Sequence, residues 1–350
     1  MSLTSSLRPA RVAAALASLA LAAGAAGCGD DDKSSAAATS PGAPKAPETL
    51  TIAYQAIPNG DLVVKHNGWI EKALPNTKVE WKLFDSGGSV NEAIAASSVD
   101  IGLAGSSPVS RGLSQPLAYQ VPWIHDVIGD AEALVVKSNI ADIKALEGKK
   151  IATPLASTAH YSLLAALEDA GVDSKKVDVI DAEPDDIYAA WKRGDIDGAY
   201  LWNPNLAKIE KEGGKVLVTS KQLAEKGKTT YDLAVATNEL AKEFPEALQA
   251  WVAEQDKAVK LYRSDEDAWA TAVAAELNLE PAEVKEQAAD LIFLDASEQI
   301  GADYLGGGLA TNLFAAAEFN KTLGQIPSVK PEADYKAAVN AAPATAVAGQ

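Results

Sequence analysis

From Glu48 onward the apolar positions alternate between two periods. "TLTIAYQ" is rich in Thr and Ile, sets Leu50, Ile52 and Tyr54 at every second place, and predicts a strand. In "LVVKHNGWIEKAL" the apolar set Leu62, Val63, Trp69, Ile70, Ala73 and Leu74 falls at helical spacing. The strand "KVEWKLFD", the helix "SVNEAIAASS" and the strand "VDIGLAG" follow. A second series starts near residue 149: strand "KKIATP", helix "AHYSLLAALEDAG" ending at Gly171, strand "KVDVIDAEP", helix "DDIYAAWKRGD" and strand "DGAYLW". "GKVLVTS" and "YDLAVAT" predict two more strands. After Asn238 the pattern is helical through "FPEALQAWVAEQDKAVKLY", "DEDAWATAVAAEL" and "PAEVKEQAADLI". No period repeats along the chain. Strands alternating with helices predict an α/β class, with mainly parallel sheets covered on both faces. Two such units in series suit two lobes, and ligands of open α/β sheets lie at the carboxyl ends of the strands.

The first residues follow a different pattern. Arg8 and Arg11 precede an uncharged apolar run, Val12 to Gly27, which ends at Cys28. This is the layout of a secretory signal, and "AAGC" resembles a bacterial lipobox, with Ala25 where Leu or Val is usual. Cleavage before Cys28 would leave that thiol to carry lipid. Cys28 is the only cysteine, so no disulfide framework and no thiolate metal site is available. The following "GDDDKSSAAATSPGAPKAP" lacks the residues that fill a core and reads as a tether. The expected layout is a signal over residues 1–27, a tether over 28–47, a discontinuous first lobe over 48–136 and 232–345, and a second lobe over 137–231.

Charge narrows the partners. The 350 residues carry a formal charge of −17. Removing residues 1–27 takes away two arginines and no acid, giving −19 from 29 basic and 48 acidic residues. Such a surface repels nucleic acid and anionic membrane.

Several strand-to-helix corners nevertheless suit an anion. Ser86-Gly87-Gly88, Ser106-Ser107-Pro108, Ser157-Thr158 and Asn203-Pro204 each stand where a strand gives way to a helix. Ser107 is expected as N-cap with Pro108 at the first helical position, and Asn203-Pro204 repeats that logic. Ser89 and Glu92 fit a capping box of their own. Helix starts leave unpaired N–H groups and a partial positive charge, which hold an oxyanion without a fixed cation. Each corner alone is equally well a helix cap.

"FDSGGS", "GSSP", "EALVVK", "STAHYSLLAALEDAG" and "AAWKRGDIDGAYLW" together resemble the nitrate, sulfonate and taurine group of solute-binding proteins, its taurine-binding members above all. The similarity runs from about Thr51 to Val235; beyond that only the helical pattern is shared. The resemblance implies a two-lobed type II periplasmic-binding fold that closes on a small organosulfonate and hands it to an ABC permease and its ATPase. A monomer suits delivery to a permease, and the lipid expected on Cys28 would hold it outside the cytoplasm on the membrane.

For a zwitterion such as taurine, the sulfonate is assigned to Ser86, Gly87, Ser106, Ser107 and Thr158, with His160 as a further candidate. A buried ammonium needs a carboxylate or an aromatic face. Asp232 is the first choice, Glu132 the second, with Trp202 for the aromatic face and Gln55 to bridge the groups. An amine-free alkanesulfonate, nitrate or a pyrimidine precursor is the alternative ligand. Thiol catalysis has no cysteine within the folded part. His66, His125 and His160 form no metal signature, and no phosphate loop or nucleophile elbow appears, so no cofactor, metal or catalytic residue is expected.

Overall fold

A computed structural model describes residues 44–349 of this protein. The expected signal, Cys28 and the tether up to residue 43 lie outside the described residues. The strands are β1 (Thr49–Tyr54), β2 (Lys78–Leu83), β3 (Ile101–Gly105), β4 (Tyr119–Ile128), β5 (Glu132–Val136), β6 (Lys150–Thr153), β7 (Asp178–Asp181), β8 (Gly198–Trp202), β9 (Lys215–Thr219), β10 (Tyr231–Thr237) and β11 (Leu291–Ile292). They form two sheets, ordered β11-β4-β10-β3-β1-β2 and β7-β6-β8-β5-β9.

Both sheets are mixed, which corrects the expectation of mainly parallel pairing. β1 pairs in parallel with β2 and β3, and β6 with β7 and β8. These strands are linked by helical crossovers, which keep strand direction. β10 runs antiparallel between β3 and β4, and β5 antiparallel between β8 and β9. Each arrives from the other sheet, so no crossover helix sets its direction.

Three strands were not foreseen: β4, β5 and the short β11, which takes the end of the expected helix "PAEVKEQAADLI". β4 is broken in pattern by Pro122, His125 and Asp126. Its ladder with β10 shifts register around Pro122, where a missing N–H is tolerated, and again beside His125. β5 lies in the second sheet, so the expected lobe boundary after residue 136 is too late: the chain leaves the first sheet after Ile128. Alternate residues of β5 serve opposite faces. Leu134 and Val136 join the cluster around Leu163 and Tyr200, while Ala133 and Val135 join that around Ile187 and Leu206. The first sheet has one large core that includes Trp123, Trp251 and Trp269.

Helices bury apolar stripes against these sheets. The expected helix over 62–74 is two, Gly60–Asn67 and Trp69–Ala73, broken at Gly68 with φ 59°. The helices at Pro245–Ser264, Glu266–Leu277 and Pro281–Ala288 match the pattern after Asn238. The long helix Gly308–Thr322 was not foreseen, and it touches both halves. Its Asn320 donates to Ser107 and Ser110, and its Phe319 meets Tyr161 edge to face at 4.9 Å. Among the described residues no helix is long and apolar enough to cross a membrane.

Candidate functional site

The carboxyl ends of β1, β3, β6 and β8 face one another across a cleft between the two sheets. Gln55, Gly87, Glu132, Thr158, Trp202 and Asp232 line it, together with Gly105, Ser157, Asn203 and an apolar wall that includes Ile57, Pro108 and Leu291. Six of the ten expected ligand residues are therefore brought together. Ser86, Ser106, Ser107 and His160 are not among the lining residues; each is buried and stands within two residues of one that is.

Three helix starts converge here, a juxtaposition that spacing alone could not reveal. The helices Gly87–Ala95, Ser106–Ser114 and Thr158–Asp169 all begin at the cleft. Their caps differ from expectation by a residue or more. Ser86 is the N-cap of the first, and its N–H is held by Ser89 Oγ at 3.3 Å, so Glu92 takes no part. Gly105, not Ser107, is the N-cap of the second, because the helix starts before Pro108. Ser157 caps the third, its Oγ accepting from the His160 N–H at 3.1 Å. At the fourth corner Pro204 is itself the N-cap of the helix Asn205–Lys211, and the Asn203–Pro204 peptide is cis.

The two sides of the cleft touch. A Cβ on Gly105 would lie 2.5 Å from Thr158 Cγ2, so only glycine permits this approach. Ser86 Oγ donates to Glu183 Oε1 across the cleft at 3.2 Å. That bond uses the Ser86 hydroxyl hydrogen. Thr158 Oγ1 donates to Glu132 Oε2 at 2.5 Å, and Thr158 stands at the start of its helix, where the backbone N–H has no partner within the helix. Ser106 Oγ accepts from the Tyr231 N–H, and Ser107 Oγ from Asn320 Nδ2. Both bonds tie the second helix start to its neighbours.

His160 has a structural task. Its Nδ1 accepts from the Ala156 N–H at 3.3 Å. Ala156 has φ 68°, a conformation disfavoured for a residue with a Cβ. The loop is held further by Leu155 N–H to Asp181 Oδ1 at 3.0 Å. Burial lowers the His160 imidazole to about 4, so it is a neutral acceptor at pH 7.

At the other end of the cleft the charges are all negative. Glu132 is buried, and Ser220 donates to its Oε1 at 2.7 Å, with Ser162 more distant at 3.4 Å. Burial raises Glu132 to about 7 against the lowering effect of these hydroxyls and Thr158. Asp232 is raised to about 7 by burial and by Glu132. Trp202 stands opposite Glu132 in the β5–β8 ladder, so the indole and the carboxylate share a face. Gln55 is anchored by its amide to the Leu103 carbonyl at 3.0 Å. Among the described residues no Lys or Arg forms an ion pair with Glu132 or Asp232, and no cluster suits a metal ion.

Sequence reasoning missed Asp126, Ser162 and Ser220. Asp126 is fully buried opposite Asp232 in the β4–β10 ladder. An aspartate inside the apolar run "WIHDVI" was the available signal. Ser162 and Ser220 gave none, because their roles depend on where Glu132 packs.

Residues 62–268 match the family described as NMT1/THI5 like. This chain belongs to the NMT1/THI5-like family. Among its relatives, the taurine-binding periplasmic protein of Escherichia coli (strain K12) is 40% identical over 220 residues, 63% of this chain and 68% of that protein. A putative aliphatic sulfonates-binding protein of the same organism is 30% identical over 190 residues, 53% of this chain and 59% of that protein. The structure of the alkanesulfonate-binding protein SsuA from Xanthomonas axonopodis pv. citri, bound to MOPS, superposes with a TM-score of 0.69 at 21% identity, covering 86% of this chain and 98% of that one. That likeness shows the fold, which is the two-lobed solute-binding fold implied by the resemblance. Both Escherichia coli relatives are named as binding proteins.

Proposed function

We propose that this protein binds a small aminoalkanesulfonate, taurine first, in the cleft between its lobes and delivers it to the permease of an ABC importer. The observation that carries this reading is the polarity of the cleft. Among the described residues that line the cleft, one end has three helix starts and no Lys or Arg, and the other has the buried Glu132 and the half-buried Asp232, again with no Lys or Arg. A zwitterion with an oxyanion at one end and an ammonium at the other satisfies both. The N–H groups at Gly87, Thr158 and the start of the second helix take the sulfonate. Asp232 and Glu132 take the ammonium, with the Trp202 face beside them. The identity to the taurine-binding relative supports the same ligand class. An amine-free sulfonate or nitrate would leave the carboxylates facing an uncharged tail or a bare anion, at a cost in both cases.

Closure supplies the signal for delivery. The ligand contacts both lobes only when they meet, so it raises the closed population. The relatives' names and the leader pattern support an extracytoplasmic site of action, with lipid on Cys28 as the anchor and the monomer as the working unit.

Isothermal titration of the chain from Pro47 onward tests this reading with taurine, ethanesulfonate and 3-aminopropanesulfonate. Micromolar taurine binding, about −8 kcal/mol, with much weaker ethanesulfonate binding is expected. Ethanesulfonate binding as tight as taurine would remove the ammonium subsite. No binding of any of the three would reject the ligand class.

A further inference from the structure

The carboxylate least explained by a direct ligand contact is Asp126. It is fully buried, and neither of its oxygens has a hydrogen-bond partner. Its place follows from a bulge. The β4–β10 ladder pairs Asp126 with Asp232 and then Ile124 with Leu233, so His125 is the extra residue on β4. Bulges turn side chains out of the regular alternation. His125 packs on the far side, 5.8 Å from Trp251 and 3.7 Å from Asp61. Asp126 joins Asp232, and directly opposed residues have Cβ atoms roughly 5 Å apart.

The charges around this pair are all of one sign. Asp232 on β10 and Glu132 at the start of β5 act on Asp126. Leu291 and Ile292 of β11 bring no charge, and Asp290 before them is influenced by Asp130 and Lys221. Behind β4 stand His125, which burial lowers to about 3, and Asp61, which burial raises to about 7. Among the described residues no cation pairs with Asp126. Two carboxylates so placed, without a cation, cannot both ionise cheaply. Burial and both neighbours push Asp126 well above the ordinary carboxylate range.

We propose that Asp126 and Asp232 form a proton-sharing carboxylate pair, in which the cation of the ligand takes the place of the shared proton. This rests on the reading of the cleft as an ammonium site. The empty pair holds one proton and one negative charge. Binding places one ammonium beside the pair and releases that proton to solvent, so the net charge of the buried assembly stays the same. Asp126 is thus a positioning residue that acts through Asp232: it tunes the site to a permanent cation and makes affinity depend on pH. The ligand keeps both of its own charges between pH 5 and pH 8, so the dependence belongs to the protein. The two carboxyls titrate as one coupled unit.

The test is isothermal titration of taurine from pH 5 to pH 8, in paired buffers of low and high ionisation enthalpy. The wild-type protein is expected to release about one proton near pH 6 and to gain up to about tenfold in affinity per pH unit there. Asp126→Asn is expected to bind more tightly than wild type at pH 5 and less tightly at pH 8, so the two profiles cross. Glu132→Gln retains the proton release, whereas Asp126→Asn loses most of it. Parallel wild-type and Asp126→Asn profiles would overturn the pair. So would taurine binding without proton release, while leaving the proposed ligand standing. If Asp126→Asn does not fold, the wild-type proton count and its persistence in Glu132→Gln still decide. Absence of taurine binding at every pH would overturn both this inference and the proposed function.

Discussion

Asp232 and Glu132 were both picked from the sequence as partners for a cation, but they are not equivalent. Glu132 is tied to Ser220 and Thr158, with Ser162 nearby, whereas Asp232 has a like-charged neighbour. Losing Asp232 should therefore fall mainly on the ligand's ammonium. Asp232→Ala is expected to weaken taurine binding at least thirtyfold, from about 2 kcal/mol or more for one partner of a buried charge pair. Ethanesulfonate affinity should hold or improve, and titration of both ligands against the variant checks the difference. Of the remaining expected residues, His160 was placed by its position near a helix start. What that position could not reveal is the positive φ at Ala156, which makes the imidazole a brace for the loop.

Helix starts are the elements that build the anion end, and their approach depends on one glycine. At Gly105 any Cβ meets the Thr158 methyl. Thr158 cannot turn away freely, because it is β-branched and its hydroxyl is committed to Glu132. Gly105→Ala should therefore hinder closure and weaken taurine binding about tenfold or more, a cost of roughly 1–3 kcal/mol for overpacking. Adding Thr158→Ser removes the methyl and keeps the hydroxyl, so the double variant should regain most of the loss. A double-mutant cycle by titration checks this; additive losses would mean that the contact does not limit closure. Helical periodicity foretold the elements after Gly87 and Thr158, whose apolar stripes face a sheet, while the helix at Ser106 was expected only from its Ser107-Pro108 corner. Their first residues were misjudged because Ser, Asn and Pro all suit several cap positions, and packing chooses among them.

At the scale of the whole molecule, two opposed titrations meet. Asp61, Glu132 and Asp232 are raised to about 7, so their folded forms hold protons that the unfolded chain releases. Their contribution is full below the ordinary carboxylate range and is lost as pH rises through about 7. His125 and His160 are lowered to about 3 and about 4. Their contribution is full above the ordinary histidine range near 6.5 and is lost as pH falls toward 4 and below. The ligand's cation offsets only the carboxylate loss near the cleft. At equal taurine concentration, the rise in melting temperature should thus be larger at pH 7.5 than at pH 5.5, and differential scanning fluorimetry measures it. An equal rise at both would separate cation binding from these carboxylates. Closure itself should lower the radius of gyration on adding taurine, as read by small-angle scattering; no change would count against a population shift.

By itself the sequence determined the α/β class, the two-unit order and most strands and helices. These follow from local periodicity, where each side chain's burial repeats with the element's own geometry. It also marked Asp232, Glu132, Trp202 and the glycine-rich corners, since charge, aromaticity and missing side chains are visible residue by residue. Tertiary structure alone decided the antiparallel insertion of β10 and β5, because strand direction depends on which sheet the chain comes from. It alone brought three helix starts to one point, and turned Asp126 onto Asp232 through a bulge in a strand with no clear alternation. Those features arise from register and from contacts between distant segments, which no local pattern along the chain records.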